Sequence, residues 1–101
     1  MTKTSTITNL TLLDVVVQNN TGSGLTFTGT VNGLTIEGCV FAGNAWEHID
    51  LGLSWIGSLV LSNAVVRGNV FGNGPWHSVY VESATFAAGQ LVVAENEFLK
   101  S

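Results

Sequence analysis

Apolar and polar residues alternate along most of this chain, and the same alternation keeps returning. Four segments share one pattern: LTLLDVVV from Leu10, LTIEGCVF from Leu34, LVLSNAVV from Leu59 and LVVAENEF from Leu91. Each is apolar at its first, third and eighth positions, the eighth being Val17, Phe41, Val66 and Phe98. Aligned this way, the segments are spaced by 24, 25 and 32 residues. Shorter runs lie between them, LTF from Leu25, IDL from Ile49 and VYV from Val79, again apolar at both outer positions. Successive side chains of a strand point to opposite faces, so a period of two predicts strands throughout. Val, Ile, Leu, Phe and Thr fill these runs, and no ten-residue stretch carries a helical stripe.

Gly and Asn occupy the joints, at NNTGSG (19–24), NG (32–33), GN (43–44) and GNGP (72–75). Both accept the left-handed backbone that a sharp corner requires. One longer phrase is nearly duplicated: VFAGNAWEHIDL at 40–51 and VFGNGPWHSVYV at 70–81, an offset of 30. A sandwich of hairpins accommodates short strands without any fixed period. In a solenoid each repeat is one turn of a wide coil, and equivalent positions stack and converge on similar residues. The recurrence favours the solenoid: an all-β, parallel β-helix of about four coils in a single domain over 1–101. On that scaffold Asn20 and Asn44 share a column, with Asn69 or Asn73 expected above them. An insertion of about five residues is expected within Arg67–Trp76.

The repeat L-x-I-x-x-x-x-F-x-x-N, as in Leu34 to Asn44, resembles the right-handed parallel β-helix, or pectin-lyase-like, superfamily. That family includes pectate lyases, polygalacturonases, alginate epimerases and phage tailspikes. The resemblance runs from Leu10 to Phe98 and implies the architecture; its motif describes core and corner, so it carries no activity by itself.

Composition narrows the partners. Three basic residues against seven acidic ones give a net charge of −4. Three bases neutralise few phosphates and form no polybasic surface, which argues against nucleic-acid and membrane-surface binding. No run of 18 apolar residues is present, and MTKTSTITNL has no apolar signal core. Cys39 is the single cysteine, which excludes an internal disulfide and predicts a buried, inert thiol. A soluble protein of a virion or extracellular surface fits these properties.

Polar and aromatic residues concentrate where the short strands begin: Trp46, Glu47, His48 and Asp50 on one coil, Trp76, His77, Tyr80 and Glu82 on the next. As middle residues of their strands, Asp50 and Tyr80 are expected to point outward. Aromatic rings beside carboxylates suit a sugar ring, which offers an apolar face and hydroxyl edges, so Trp46, His48, Asp50, Trp76, His77, Tyr80 and Glu82 are the candidate ligand-binding residues. The plainer reading, and the favoured one, makes the tryptophans covers for a corner or a subunit contact. Glycoside hydrolysis needs two carboxyls flanking one bond, for which Asp50 and Glu82 are the best pair. The acidic motifs of the resembling enzymes have no counterpart, so no catalytic residue, metal site or cofactor is assigned. Strand-like sequence extends from Ile7 to Phe98, leaving no room for caps over the coil ends. The outward series Thr11, Thr35, Val60 and Val92 becomes apolar toward the last coils. Together these point to a non-catalytic structural or carbohydrate-binding module that self-associates, a trimer being one arrangement, or packs against a neighbouring domain. The alternative is a polysaccharide lyase, epimerase or hydrolase with a site shared between chains.

Overall fold

The computed structural model describes residues 6–52, 58–73 and 77–99. Eleven strands and no helix occupy them: β1 (Thr6–Leu13), β2 (Val16–Gln18), β3 (Leu25–Phe27), β4 (Gly29–Glu37), β5 (Val40–Ala42), β6 (Ile49–Leu51), β7 (Leu59–Arg67), β8 (Val70–Phe71), β9 (Val79–Val81), β10 (Ala84–Ala94) and β11 (Glu97–Phe98). They form three parallel sheets, ordered β1-β4-β7-β10, β2-β5-β8-β11 and β3-β6-β9. Each sheet takes one strand from each successive turn, so the chain winds as a β-solenoid. The turn count is about three rather than four: β10 and β11 begin a further turn that has no described strand in the third sheet.

Pairing stacks like on like. Ile7, Val31, Leu61 and Phe86 form one column, and Leu10, Leu34, Ala64 and Leu91 a second. Leu12, Ile36, Val66 and Val93 form a third. Val17, Phe41, Phe71 and Phe98 make the aromatic column of the second sheet, whose rings stack 5.0 and 5.2 Å apart. The short strands align as expected, Leu25 with Ile49 and Val79. Inward residues from all three sheets, including Phe27, Val31, Ile36, Phe41, Ile49, Leu61, Val66 and Phe71, are at most 1% exposed. Burial of such side chains contributes about 1.5–3 kcal/mol each before chain entropy is set against it.

Two expectations need correction. The third long segment is in register by 30 residues, not 25: Ala64 lies over Leu34, while Leu59 lies over Gly29. Val65, not Val60, therefore continues the outward series of Thr11 and Thr35. The extra residues of this turn fall between β6 and β7, not within Arg67–Trp76, because the offset of 30 already holds at β7, β8 and β9. Two further residues are absorbed in β10, where the register shifts between Phe86 and Leu91.

Left-handed backbone recurs in columns. Asn9, Gly33, Asn63 and Gly89 have φ of 57°, 90°, 55° and 70°; Asp14, Gly38, Gly68 and Glu95 lie between 55° and 68°. In the first column Asn and Gly alternate for a steric reason. A Cβ on Gly33 would lie 2.6 Å from Asn9 Oδ1, and one on Gly89 would collide with Asn63 Oδ1. The amide of each Asn thus uses the space its glycine neighbour leaves empty.

Asparagine amides hold two further corners. Asn44 does lie over Asn20, whose Nδ2 donates to its Oδ1 at 2.8 Å. Asn69 and Asn73 do not continue that column. Asn69 stands over Cys39 and under Asn96, donating from Nδ2 to Asn96 Oδ1 and to Ile36 O, both at 3.0 Å. The Cys39 amide donates to Asn69 Oδ1 at 2.8 Å. Asn73 pairs through its carbonyl with Gly43. Cys39 is buried, its thiol 3.5 Å from the carbonyls of Leu12 and Glu37.

Candidate functional site

The connections into the third sheet build one polar cluster. Strand register places Gly22 under Trp46, Ser23 under Glu47 under His77, and Thr26 under Asp50 under Tyr80. Backbone bonds fasten these loops, with Gly24 N donating to Glu47 O, Trp46 N to Gly22 O and His48 N to His77 O at 2.9–3.2 Å. Gly24 is required by proximity: a Cβ there would lie 2.7 Å from His48 O and 2.8 Å from Asn44 Nδ2. The Trp46 ring packs over Gly22, 3.8 Å from where a Cβ would stand, and remains 42% exposed.

His48 belongs to the interior. It is 1% exposed, flanked by the Phe41 and Phe71 rings at 6.0 Å. Asn44 Nδ2 donates to its Nδ1 and its Nε2–H donates to Gly72 O, both at 2.9 Å. These partners assign the proton to Nε2. Asn44 Nδ2 also donates to Val17 O at 3.2 Å, so the amide ties three segments together. Both ring nitrogens are engaged, and the imidazole acts as a corner brace.

Asp50 faces away from the core residues Ile49 and Leu51, as alternation requires, yet it is only 1% exposed. Its expected outward position is covered by the loops beside it. Ser23 Oγ donates to Oδ2 at 2.7 Å, while Oδ1 is buried without a hydrogen-bond partner. Burial raises the pKa of this carboxyl from 3.8 to about 6; the Ser23 hydroxyl opposes the rise, while Glu47, through its charge and a side-chain hydrogen bond, and the Glu82 charge add to it. Glu47 is itself 4% exposed, and its Oε2 meets His77 Nδ1 at 3.1 Å. His77 is largely exposed and stacks on Tyr80, ring centroids 4.6 Å apart and planes 15° from parallel.

The candidate residues therefore divide. Trp46, His77, half-buried Tyr80 and half-buried Glu82 reach solvent; His48 and Asp50 lie beneath them. Trp76 lies outside the described residues. Sequence reasoning misses Ser23, although its place in one column with Glu47 and His77 is a signal that could mark it. A carboxyl that holds its proton toward neutrality suits proton transfer, which requires access to a reacting atom; Asp50, 1% exposed, is covered in this arrangement. Among the described residues no group of three or more His, Cys, Asp or Glu side chains is placed to hold a metal ion. The exposed part of the cluster offers instead a flat imidazole–phenol stack beside acidic groups. Comparison with protein-family models, curated proteins and solved structures found no match to this chain.

Proposed function

We propose that this protein is a non-catalytic, self-associating structural module, a pectin-lyase-like β-helix of the kind that builds virion, tailspike-like or other surface assemblies. One observation carries the reading. The inward columns are sealed in the middle turns and open at the last one, where Phe86, Val93 and Phe98 are 41%, 43% and 56% exposed. At the other end Leu10, Leu12 and Val17 are only partly buried. Apolar cross-sections bounded by unpaired strand edges favour association. Light scattering should give a mass above the 10.6 kDa of one chain; a trimer is one outcome that supports the reading, and a monomer at every concentration contradicts it.

A second reading, glycan recognition, is favoured by the His77–Tyr80 stack and exposed Trp46 in one cluster with the half-buried Glu82 carboxyl. Aromatic faces bind sugar rings and carboxylates bind their hydroxyls. Loss of glycan binding in Trp46→Ala and Tyr80→Ala with the fold retained would support it; unchanged binding would remove it. The enzymatic alternative, a polysaccharide lyase, epimerase or hydrolase, requires activity on uronate polymers that Asp50→Asn abolishes.

A further inference from the structure

We propose that Asp50 and Glu47 share one proton, held between Asp50 Oδ1 and the Glu47 carboxyl. That proton clasps the corner where the chain enters β3 and β6, and its loss loosens the corner as pH rises. The device is independent of self-association and of glycan binding, because every group in it belongs to one chain.

The carboxyl oxygens point to the pair. An ionised carboxylate only accepts hydrogen bonds, so two of them cannot bond to one another without a proton between them. Asp50 Oδ2 is taken by Ser23 Oγ at 2.7 Å, and Glu47 Oε2 by His77 Nδ1 at 3.1 Å. What remains of Asp50 is Oδ1, buried and without a donor. Both residues are almost completely buried. A hydrogen bond from the protonated Asp50 carboxyl to the Glu47 side chain supplies the missing partner. A proton on Oδ1 also removes one of two adjacent buried charges. The resulting chain of bonds runs from Ser23, before β3, through Asp50 on β6 and Glu47, before β6, to His77, before β9. It crosses three turns of the solenoid.

The surroundings set the sign. Glu82, beyond β9, is a further negative neighbour of Asp50. Tyr80 stands over Asp50 and Thr26 under it. His48 lies on the core side, its ring nitrogens taken by Asn44 and Gly72. Arg67, the one arginine, pairs with Glu37 at 3.3 Å. Losing the shared proton sets two negative charges side by side under cover, and their repulsion and need for water both favour an open corner. The closed corner holds the proton up to a pKa of about 6, against an ordinary 3.8. Closure is therefore strongest below about pH 4, weakens up to about pH 6 and then levels off.

Amide hydrogen exchange and carboxyl-carbon NMR on the whole chain test the proposal. The Gly24 and Leu25 amides bond to the Glu47 and His48 carbonyls at 2.9 Å and report on the corner. Corrected for intrinsic rates, their protection should fall about ten- to hundredfold between about pH 4 and 6.5 and then stay level. It should lie below that of Ile36 and Val66 throughout, since the corner opens without the sheets. In Asp50→Asn the fall should vanish, because the new amide donates to Glu47 at every pH. Constant protection in the unaltered chain, a fall that persists in Asp50→Asn, or corner amides that exchange only together with Ile36 and Val66 overturns the clasp. For the shared proton itself, replacing solvent hydrogen by deuterium at about pH 5 should shift both the Asp50 Cγ and the Glu47 Cδ resonances. Glu47→Gln should lower the Asp50 titration midpoint by about one pH unit or more, further than Glu82→Gln does. An isotope shift confined to Asp50, or a midpoint that Glu47→Gln leaves in place, overturns the sharing. The isotope measurement uses the unaltered chain, so it decides the question even where a variant fails to fold.

Discussion

Replacing Asp50 by Asn should make the protein more stable at neutral pH and leave it little changed in acid. The folded carboxyl has a pKa of about 6 against an ordinary 3.8. A group that holds its proton more tightly when folded favours the native state while protonated, and that contribution is lost as pH rises from about 4 to 6. Two pH units correspond to about 3 kcal/mol. Water around exposed His77 and half-buried Glu82 screens part of this, so about 1–2 kcal/mol is expected. The asparagine keeps an oxygen to accept from Ser23 Oγ and has an amide where the partnerless Oδ1 now lies. Urea unfolding followed by tryptophan fluorescence, at one protein concentration and at several pH values between about 3.5 and 7.5, measures the difference between wild type and variant. That difference should grow with pH in favour of the variant and level off above about pH 6.5. A constant difference, or a variant that loses ground as pH rises, would refute the assignment of Asp50 as a buried carboxyl destabilised by its charge.

Asn44→Ala should destabilise by about 2–3 kcal/mol in the same assay, because it strands the buried His48 ring and the half-buried Val17 carbonyl and removes the acceptor of the exposed Asn20 amide; a loss under about 1 kcal/mol would show the amide is dispensable. Gly33→Ala and Gly68→Ala both place a Cβ on left-handed backbone, which costs about 1–2 kcal/mol. Only Gly33 also meets a neighbour, Asn9 Oδ1, while the space around Gly68 is empty within 4 Å, so the Gly33 variant should melt at the lower temperature. Phe71→Ala removes the middle ring of the Phe41–Phe71–Phe98 stack and should cost about 3–5 kcal/mol, read from the urea midpoint.

Much of the architecture is legible in the chain because stacking repeats chemistry. The pairs Leu34 with Leu10 and Val79 with Ile49 can be read directly, and the duplicated phrase at 40–51 and 70–81 carries the true offset of 30. The third long segment misleads because apolar alternation has a period of two and fits more than one register. LVL at 59–61 resembles LTI at 34–36 more closely than AVV at 64–66 does, yet Ala64 is the residue over Leu34. The corner asparagines are legible as turn formers, but not the columns to which Asn69 and Asn73 belong, which depend on loop lengths between strands. At the site, the pairing of Asp50 with Tyr80 and of Glu47 with His77 follows from register. The burial of Asp50 does not, since its cover comes from a loop of the preceding turn, where Ser23 reaches it.

Successive turns lie parallel at a fixed register, and nuclear Overhauser contacts between assigned backbone protons read that register out. Interstrand contacts should join Ile36 to Val66 and Phe41 to Phe71 in the parallel pattern, and none should join Leu34 to Leu59. Strong contacts between facing α-protons, the mark of antiparallel hairpins, would contradict it.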